Sequence, residues 1–257
     1  MENEYGLEHI HRKLLDSLIA LDNICRENGI CYTLHGGTLL GAERNHKFIP
    51  WDDDVDVAMT RTEYRKFKQA VSNEKEKVSL FENVLWCSRF VYQTDDDPVF
   101  IDIMIYDYIT ESRIGSLLKI NTLRLLQGMI KRKENLVFHG RSIIYKILIG
   151  FTYLLGRLFP LSAKIRVYHY IEEKVLTGNH TKIHRSNDSF YGLPFIFDKD
   201  FMSEYSEIVF EGRSFMVNKR YKEFLRRNYG DNYLVPPPEK ERNTSHNTIR
   251  KRIKKSY

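Results

Sequence analysis

The chain lacks any pair of cysteines spaced for a disulfide framework: Cys25, Cys31 and Cys87 are its three. An odd, unpaired set excludes the small disulfide-stapled class and predicts buried thiols in a reducing compartment. A secretory leader is also not expected. The opening MENEYGLEHIHRKLL has no basic start followed by an apolar centre and a small-residue cleavage site, so a cytoplasmic protein is expected. Nor is there an unbroken run of the ~20 apolar residues that a membrane span needs. In the most apolar stretch, Ile143 to Phe159, Lys146 and Arg157 leave ten uncharged positions between them. Basic and aromatic residues do not interleave in any RNA- or DNA-reading pattern, so no nucleic-acid partner is expected despite a pI of 9.0.

What is present is enough apolar residue for a true core: 42% hydrophobic and 13% aromatic over 257 residues fits one elaborated domain or two small ones. The net charge of +6 conceals an asymmetry. Residues 1–110 carry 12 Lys/Arg against 20 Asp/Glu, whereas residues 111–257 carry 28 against 14. One half is suited to cations and the other to anions.

Leu7, Ile10, Leu14, Leu15, Leu18, Ile19 and Leu21 recur at helical spacing, and Asn28-Gly29 ends that helix. Ile30 to Leu34 reads as a strand that runs into His35-Gly36-Gly37-Thr38 and then a helix from Leu39 to Arg44. Val55 to Met59 alternates as a strand, Thr62 to Val71 is helical, and Val99 to Tyr106 is another strand. Asp95-Asp96-Asp97-Pro98 reads as a turn. Strands mixed with helices make this half α/β or α+β. From Ser112 to Leu176 the pattern is helical. A hairpin is expected over Tyr205 to Val217, turning at Glu211-Gly212-Arg213, then a helix from Arg220 to Asn228 ended by Gly230. The expected organisation is a catalytic core over 1–111, a basic helical insertion over 112–187, a C-terminal hairpin and helix over 188–235, and a basic, mobile tail over 236–257.

The chemistry concentrates in Trp51-Asp52-Asp53-Asp54-Val55-Asp56. Residues two apart on a strand share a face, so Asp54 and Asp56 present carboxylates roughly 7 Å apart at the backbone. Four aspartates within five positions repel one another unless something positive relieves them. Asp102 interrupts an apolar strand, Phe100 to Met104, where a lone charge is costly. Three carboxylates without His or Cys suit Mg²⁺ or Mn²⁺, and two such ions around a polyphosphate. Gly36 and Gly37, between strand and helix, leave backbone N–H groups open to a phosphate, to which Thr38 adds a hydroxyl. The competing reading makes Asp52 to Asp54 a solvated turn and pairs Asp102 with an arginine or a helix end.

The order diglycine turn, Asp-x-Asp strand, isolated strand Asp resembles the nucleotidyltransferase fold. Leu34 to Arg44, taken with Phe48 to Asp56, is a block of more than twenty residues that resembles the LicD family. Weaker likenesses follow at Phe100 to Asp107, Phe210-Glu211-Gly212, Tyr229-Gly230-Asp231 and Pro236-Pro237. The resemblance implies an α+β nucleotidyltransferase-like mixed sheet flanked by helices. It further implies transfer of phosphocholine, or of ribitol or glycerol phosphate, from a CDP-linked donor to a lipopolysaccharide, teichoic acid precursor or other cell-surface glycan. Metal ligands are then Asp54, Asp56 and Asp102, the last also a candidate to accept the acceptor's proton. Donor contacts fall to Gly36, Gly37 and Thr38. Arg44 and Lys47 are placed to neutralise donor phosphates, and Trp51 walls the site or stacks on the base. Asp53 joins the acidic run, and Arg242 and His246 are candidates to fold over the donor. Two other classes stay open: an Asp-x-Asp glycosyltransferase using a nucleotide sugar, disfavoured by the upstream diglycine, and a non-catalytic binding module.

Residues 113–185 hold 14 Lys/Arg against 3 Glu around the apolar stretch. Either this segment is a helix buried on the catalytic sheet, or it lies peripherally in an anionic membrane surface, where a lipid-linked acceptor would be met. Periodicity alone does not separate the two.

Overall fold

The computed structural model describes residues 5–74, 78–82, 86–92, 99–131 and 143–242. The chain divides into two compact units: one of residues 1–81, 89–104 and 200–257, the other of 82–88 and 105–199. The architecture is α+β, as the sequence implied.

In the first unit, helix α1 (Glu8–Glu27) buries the predicted stripe of Leu14, Leu18 and Leu21. Strand β1 (Thr33–His35) leads directly into α2 (Gly36–Asn45), so the diglycine is the helix's own first turn rather than a separate loop. Strand β2 (Val55–Thr60) pairs antiparallel with β1, placing Asp56 opposite His35. Helix α3 (Arg61–Asn73) starts at an N-cap where the Thr60 hydroxyl accepts from the Glu63 amide at 3.3 Å. Strands β3 (Val78–Phe81) and β4 (Ser88–Tyr92) form an antiparallel pair. The strand order is β1-β2-β5-β4-β3, which sets β5 (Val99–Ile109) beside β2. The expected turn at Asp95 to Pro98 lies outside the described residues.

The predicted hairpin is present as β8 (Tyr205–Phe210) and β9 (Arg213–Asn218). Its two-residue turn, Glu211-Gly212, has φ of 49° and 75°, the left-handed pair that matches the twist of the flanking strands. Helix α7 (Tyr221–Tyr229) ends at Gly230, φ 84°. All three cysteines are free; Cys25 and Cys87 are buried as expected, and Cys31 is only half-buried.

The second unit holds α4 (Arg113–Ile130), α5 (Ile143–Gly156) and α6 (Leu161–Lys174), with β6 (Lys182–Arg185) paired to residues 106–109 of β5 and to β7 (Ile196–Asp198). Ile120, Leu123, Leu126, Ile165 and Tyr168 form its core. Helix α5 packs on α4 at two glycines: a Cβ on Gly128 would strike Thr152, and one on Gly156 would strike the Met129 backbone. Small residues there let the helix backbones close up. No single helix among the described residues is long and apolar enough to cross a membrane.

His184 is fully buried in this unit beside Lys119 and Arg185, with Nδ1 3.2 Å from the Leu193 carbonyl. Burial, then the Lys119 charge, pushes its pKa down to about 4. Below pH 6.5 the unfolded chain takes up a proton that the folded chain refuses until about pH 4. Stability from this residue is therefore full above pH 6.5 and falls as the pH drops, by about 2 kcal/mol at pH 5. Urea melts of wild type and His184→Gln at pH 5 and 7.5 should differ in slope with pH by that amount; equal slopes would refute the assignment.

Candidate functional site

The site grows from the α1, β1, α2 and β2 elements of the first unit. His11 on α1 places Nε2 2.7 Å from the Asp52 carbonyl and stacks flat on Phe48, 4.3 Å between ring centres. Phe48 in turn meets Phe210 edge-on at 4.8 Å, and its amide donates to the Glu211 carboxylate at 2.8 Å. The acidic loop is thus held from the helix side and the hairpin side.

Asp52, Asp54 and Asp56 all line one cleft of about 510 Å³, with Gly37, Arg44 and Trp51. The Asp52 and Asp54 carboxyls are hydrogen-bonded to each other. Burial and the neighbouring Asp54 charge push the Asp52 pKa well above the ordinary carboxylate range. Asp53 is fully buried and is not among the residues that line the cleft.

The two glycines have a role that spacing did not reveal. A Cβ at Gly36 would land on the Asp56 carboxylate, and one at Gly37 on that of Asp52. Gly36 also sits at φ +53°, a conformation that L side chains resist. The bare helix start is thus a seat for two carboxylates. Thr38, expected to touch the donor, is buried, and its hydroxyl accepts from the Asp56 amide at 3.0 Å. It positions the aspartate strand from behind.

Arg44 lines the cleft with its guanidinium bonded to the carbonyls of Tyr233, at 2.6 Å, and Val235, at 3.1 Å. Burial lowers its pKa. It therefore clamps the segment after α7, whose Tyr229, Asn232, Tyr233, Val235 and Pro237 supply the opposite wall. Tyr221 on α7 donates to Glu43 on α2 at 2.7 Å, a second tie between the same elements. Lys47 is exposed and does not line the cleft. Trp51 is a wall residue whose face carries the Arg242 guanidinium, 4.9 Å from the ring centre. Arg242 also donates to the Pro237 carbonyl at 3.0 Å. His246 lies outside the described residues.

Asp102 follows the competing reading: Arg89 on β4 binds its carboxylate at 2.7 Å, and Asp102 is not among the cleft-lining residues. Among the described residues no group of three or more His, Cys, Asp or Glu side chains is placed to hold a metal ion. Asp107, five positions on, falls on the opposite face of the continuing strand, where the Ser186 hydroxyl donates to it. Sequence reasoning left Asp52, His11 and the 229–237 wall out of the site. For the wall, the signal was the likeness at Tyr229-Gly230-Asp231 and Pro236-Pro237.

Residues 29–118 match the nucleotidyltransferase domain of the LicD/FKTN/FKRP type. The chain is also similar to the lipopolysaccharide cholinephosphotransferase LicD of Haemophilus influenzae, at 28% identity over 247 residues, covering 87% of this chain and 89% of the relative.

Proposed function

We propose, from the chain's membership of the LicD family, that this phosphotransferase moves phosphocholine from CDP-choline onto a hydroxyl of a lipopolysaccharide or related cell-surface glycan. The observation that carries the proposal is the cleft in which Asp52, Asp54 and Asp56 converge on a diglycine helix start. The name of the Haemophilus relative supports phosphocholine as the transferred group and lipopolysaccharide as the acceptor class.

The acidic side of the cleft fits Mg²⁺. That ion is commonly held by one or two carboxylates, with water and phosphate oxygens completing its shell. Asp54 and Asp56 are such donors, and the mutual strain of Asp52 and Asp54 is the kind a cation relieves. When bound, the ion supplies charge neutralisation at the donor's pyrophosphate.

The protein's own part is positioning. Thr38 holds the Asp56 backbone, Gly36 and Gly37 keep the space over Asp56 and Asp52 free of side chains, and Arg44 fixes the facing wall. In the proposed reaction a glycan hydroxyl attacks the phosphorus bearing choline in line, the bond to the CMP oxygen breaks, and CMP leaves. Asp102, on the strand next to β2, stays in the proposal as the group that accepts or orients the hydroxyl proton. To do so it must exchange its Arg89 partner for the substrate.

Screening CDP-choline, CDP-ribitol, CDP-glycerol and UDP-sugars for nucleotide release with Mg²⁺ and a lipopolysaccharide acceptor tests the reading. CMP release from CDP-choline above the other donors is expected. Preference for CDP-ribitol or CDP-glycerol would move the substrate, release from UDP-sugars would move the reaction class, and silence with all donors would leave a binding module.

A further inference from the structure

Helix α5 carries its apolar residues on two faces, and only one of them is used for packing. Ile149, Thr152 and Gly156 lie together against α4. Ile143, Ile147, Phe151 and Leu154 fall within about 80° of arc on the opposite side, at 100° per residue. They are 74%, 66%, 62% and 66% exposed. Leu158 and Phe159 extend the surface beyond the helix, and Leu117 and Leu118 of α4 are exposed as well. An apolar surface of this size on a water-soluble domain marks a place where something else binds.

Charge and length identify the occupant. Residues 113–185 carry 14 Lys/Arg and 3 Glu, and the apolar stretch itself contains Lys146 and Arg157 with no acid; both are exposed beside the apolar face. At 14 residues each, α5 and α6 reach only about 21 Å, short of the ~30 Å hydrocarbon core. They are also bent 113° to each other. Short helices with an apolar face rimmed by cations lie in the plane of a bilayer surface.

We propose that this face of α5 docks the protein onto an anionic lipid surface, with Phe151 and Leu154 entering the headgroup boundary and Lys146 and Arg157 meeting acidic headgroups. The docking is independent of the transfer chemistry: vesicle binding reads it without any donor or acceptor.

The test is sedimentation of the full chain with vesicles of phosphatidylcholine, alone or mixed with phosphatidylglycerol, at low and high salt. Binding is expected to the mixed vesicles, to weaken with salt, and to be slight on phosphatidylcholine alone. The double variant Phe151→Glu/Leu154→Glu should lose at least about tenfold in partitioning with an unchanged thermal midpoint. If the acidic pair melts early, the uncharged pair Ile147→Gln/Phe151→Gln reads the same face. Absence of pelleting with the mixed vesicles at low salt, or equal pelleting of wild type and variants, would overturn the proposal. So would a concentration-dependent dimer that the double variant dissolves, since the face would then belong to a second copy of the chain.

Discussion

Asp56→Asn should lower Mg²⁺-dependent CMP release from CDP-choline by about a thousandfold or more while leaving the fold intact. The side chain keeps its size, so its seat over Gly36 and the Thr38 bond to its amide survive. What disappears is one of the three carboxylate charges that line the cleft. Removing a preorganised charge from a phosphoryl-transfer site costs several kcal/mol of transition-state stabilisation. The melting midpoint should hold, because Asn keeps the size of the side chain and the Thr38 bond to its backbone amide. Asp54→Asn should behave alike. Asp102→Asn separates a chemical role from a structural one. If Asp102 only anchors Arg89, the variant loses stability, on the order of 1–3 kcal/mol, and keeps turnover per folded molecule. If it handles the proton, turnover falls and the pH profile of kcat changes. Near-normal turnover in Asp56→Asn would end the metal-site proposal.

The second large effect is expected from the smallest substitution. Gly36→Ala adds one methyl group where the Asp56 carboxylate already sits, at a residue with φ +53°. The left-handed backbone alone costs roughly 1–2 kcal/mol for an L residue. The carboxylate must also move, and a displacement of about 1 Å at a reacting centre lowers rates on the order of a hundredfold. Both losses should appear together: a lower thermal midpoint, and CMP release reduced by about two orders of magnitude with added Mg²⁺ unable to restore it. Gly37→Ala, where φ is ordinary, should lose activity through Asp52 with a smaller fall in stability. A Gly36→Ala protein with wild-type turnover would show that the carboxylate seat is dispensable.

Much of this was readable from residue order because the signals are local. Alternation over Val55 to Thr60 makes a strand whatever surrounds it, and Glu211-Gly212 between two β-prone runs admits a tight hairpin. Side-chain destinations were less readable, since they depend on partners far away in the chain. Arg44 and Thr38 look like phosphate ligands in a linear motif. One bonds carbonyls 189 and 191 positions later, at Tyr233 and Val235, and the other braces the next strand. The same holds for Asp102, whose spacing suits a metal ligand but whose carboxylate meets an arginine carried on β4.

The sequence by itself determined the mixture of strands and helices, the order of helix, diglycine, Asp-x-Asp strand and hairpin, and the acidic chemistry of the site, because each follows from the conformational limits of a few adjacent residues. Only the tertiary structure decided that the glycines make room for carboxylates, that Asp52 joins Asp54 and Asp56, and that residues 229–237 close the cleft. It likewise decided that one side of α5 remains uncovered. These are matters of which surfaces meet, and the free energy of meeting belongs to pairs of residues brought together by the fold, which no local stretch of the chain encodes.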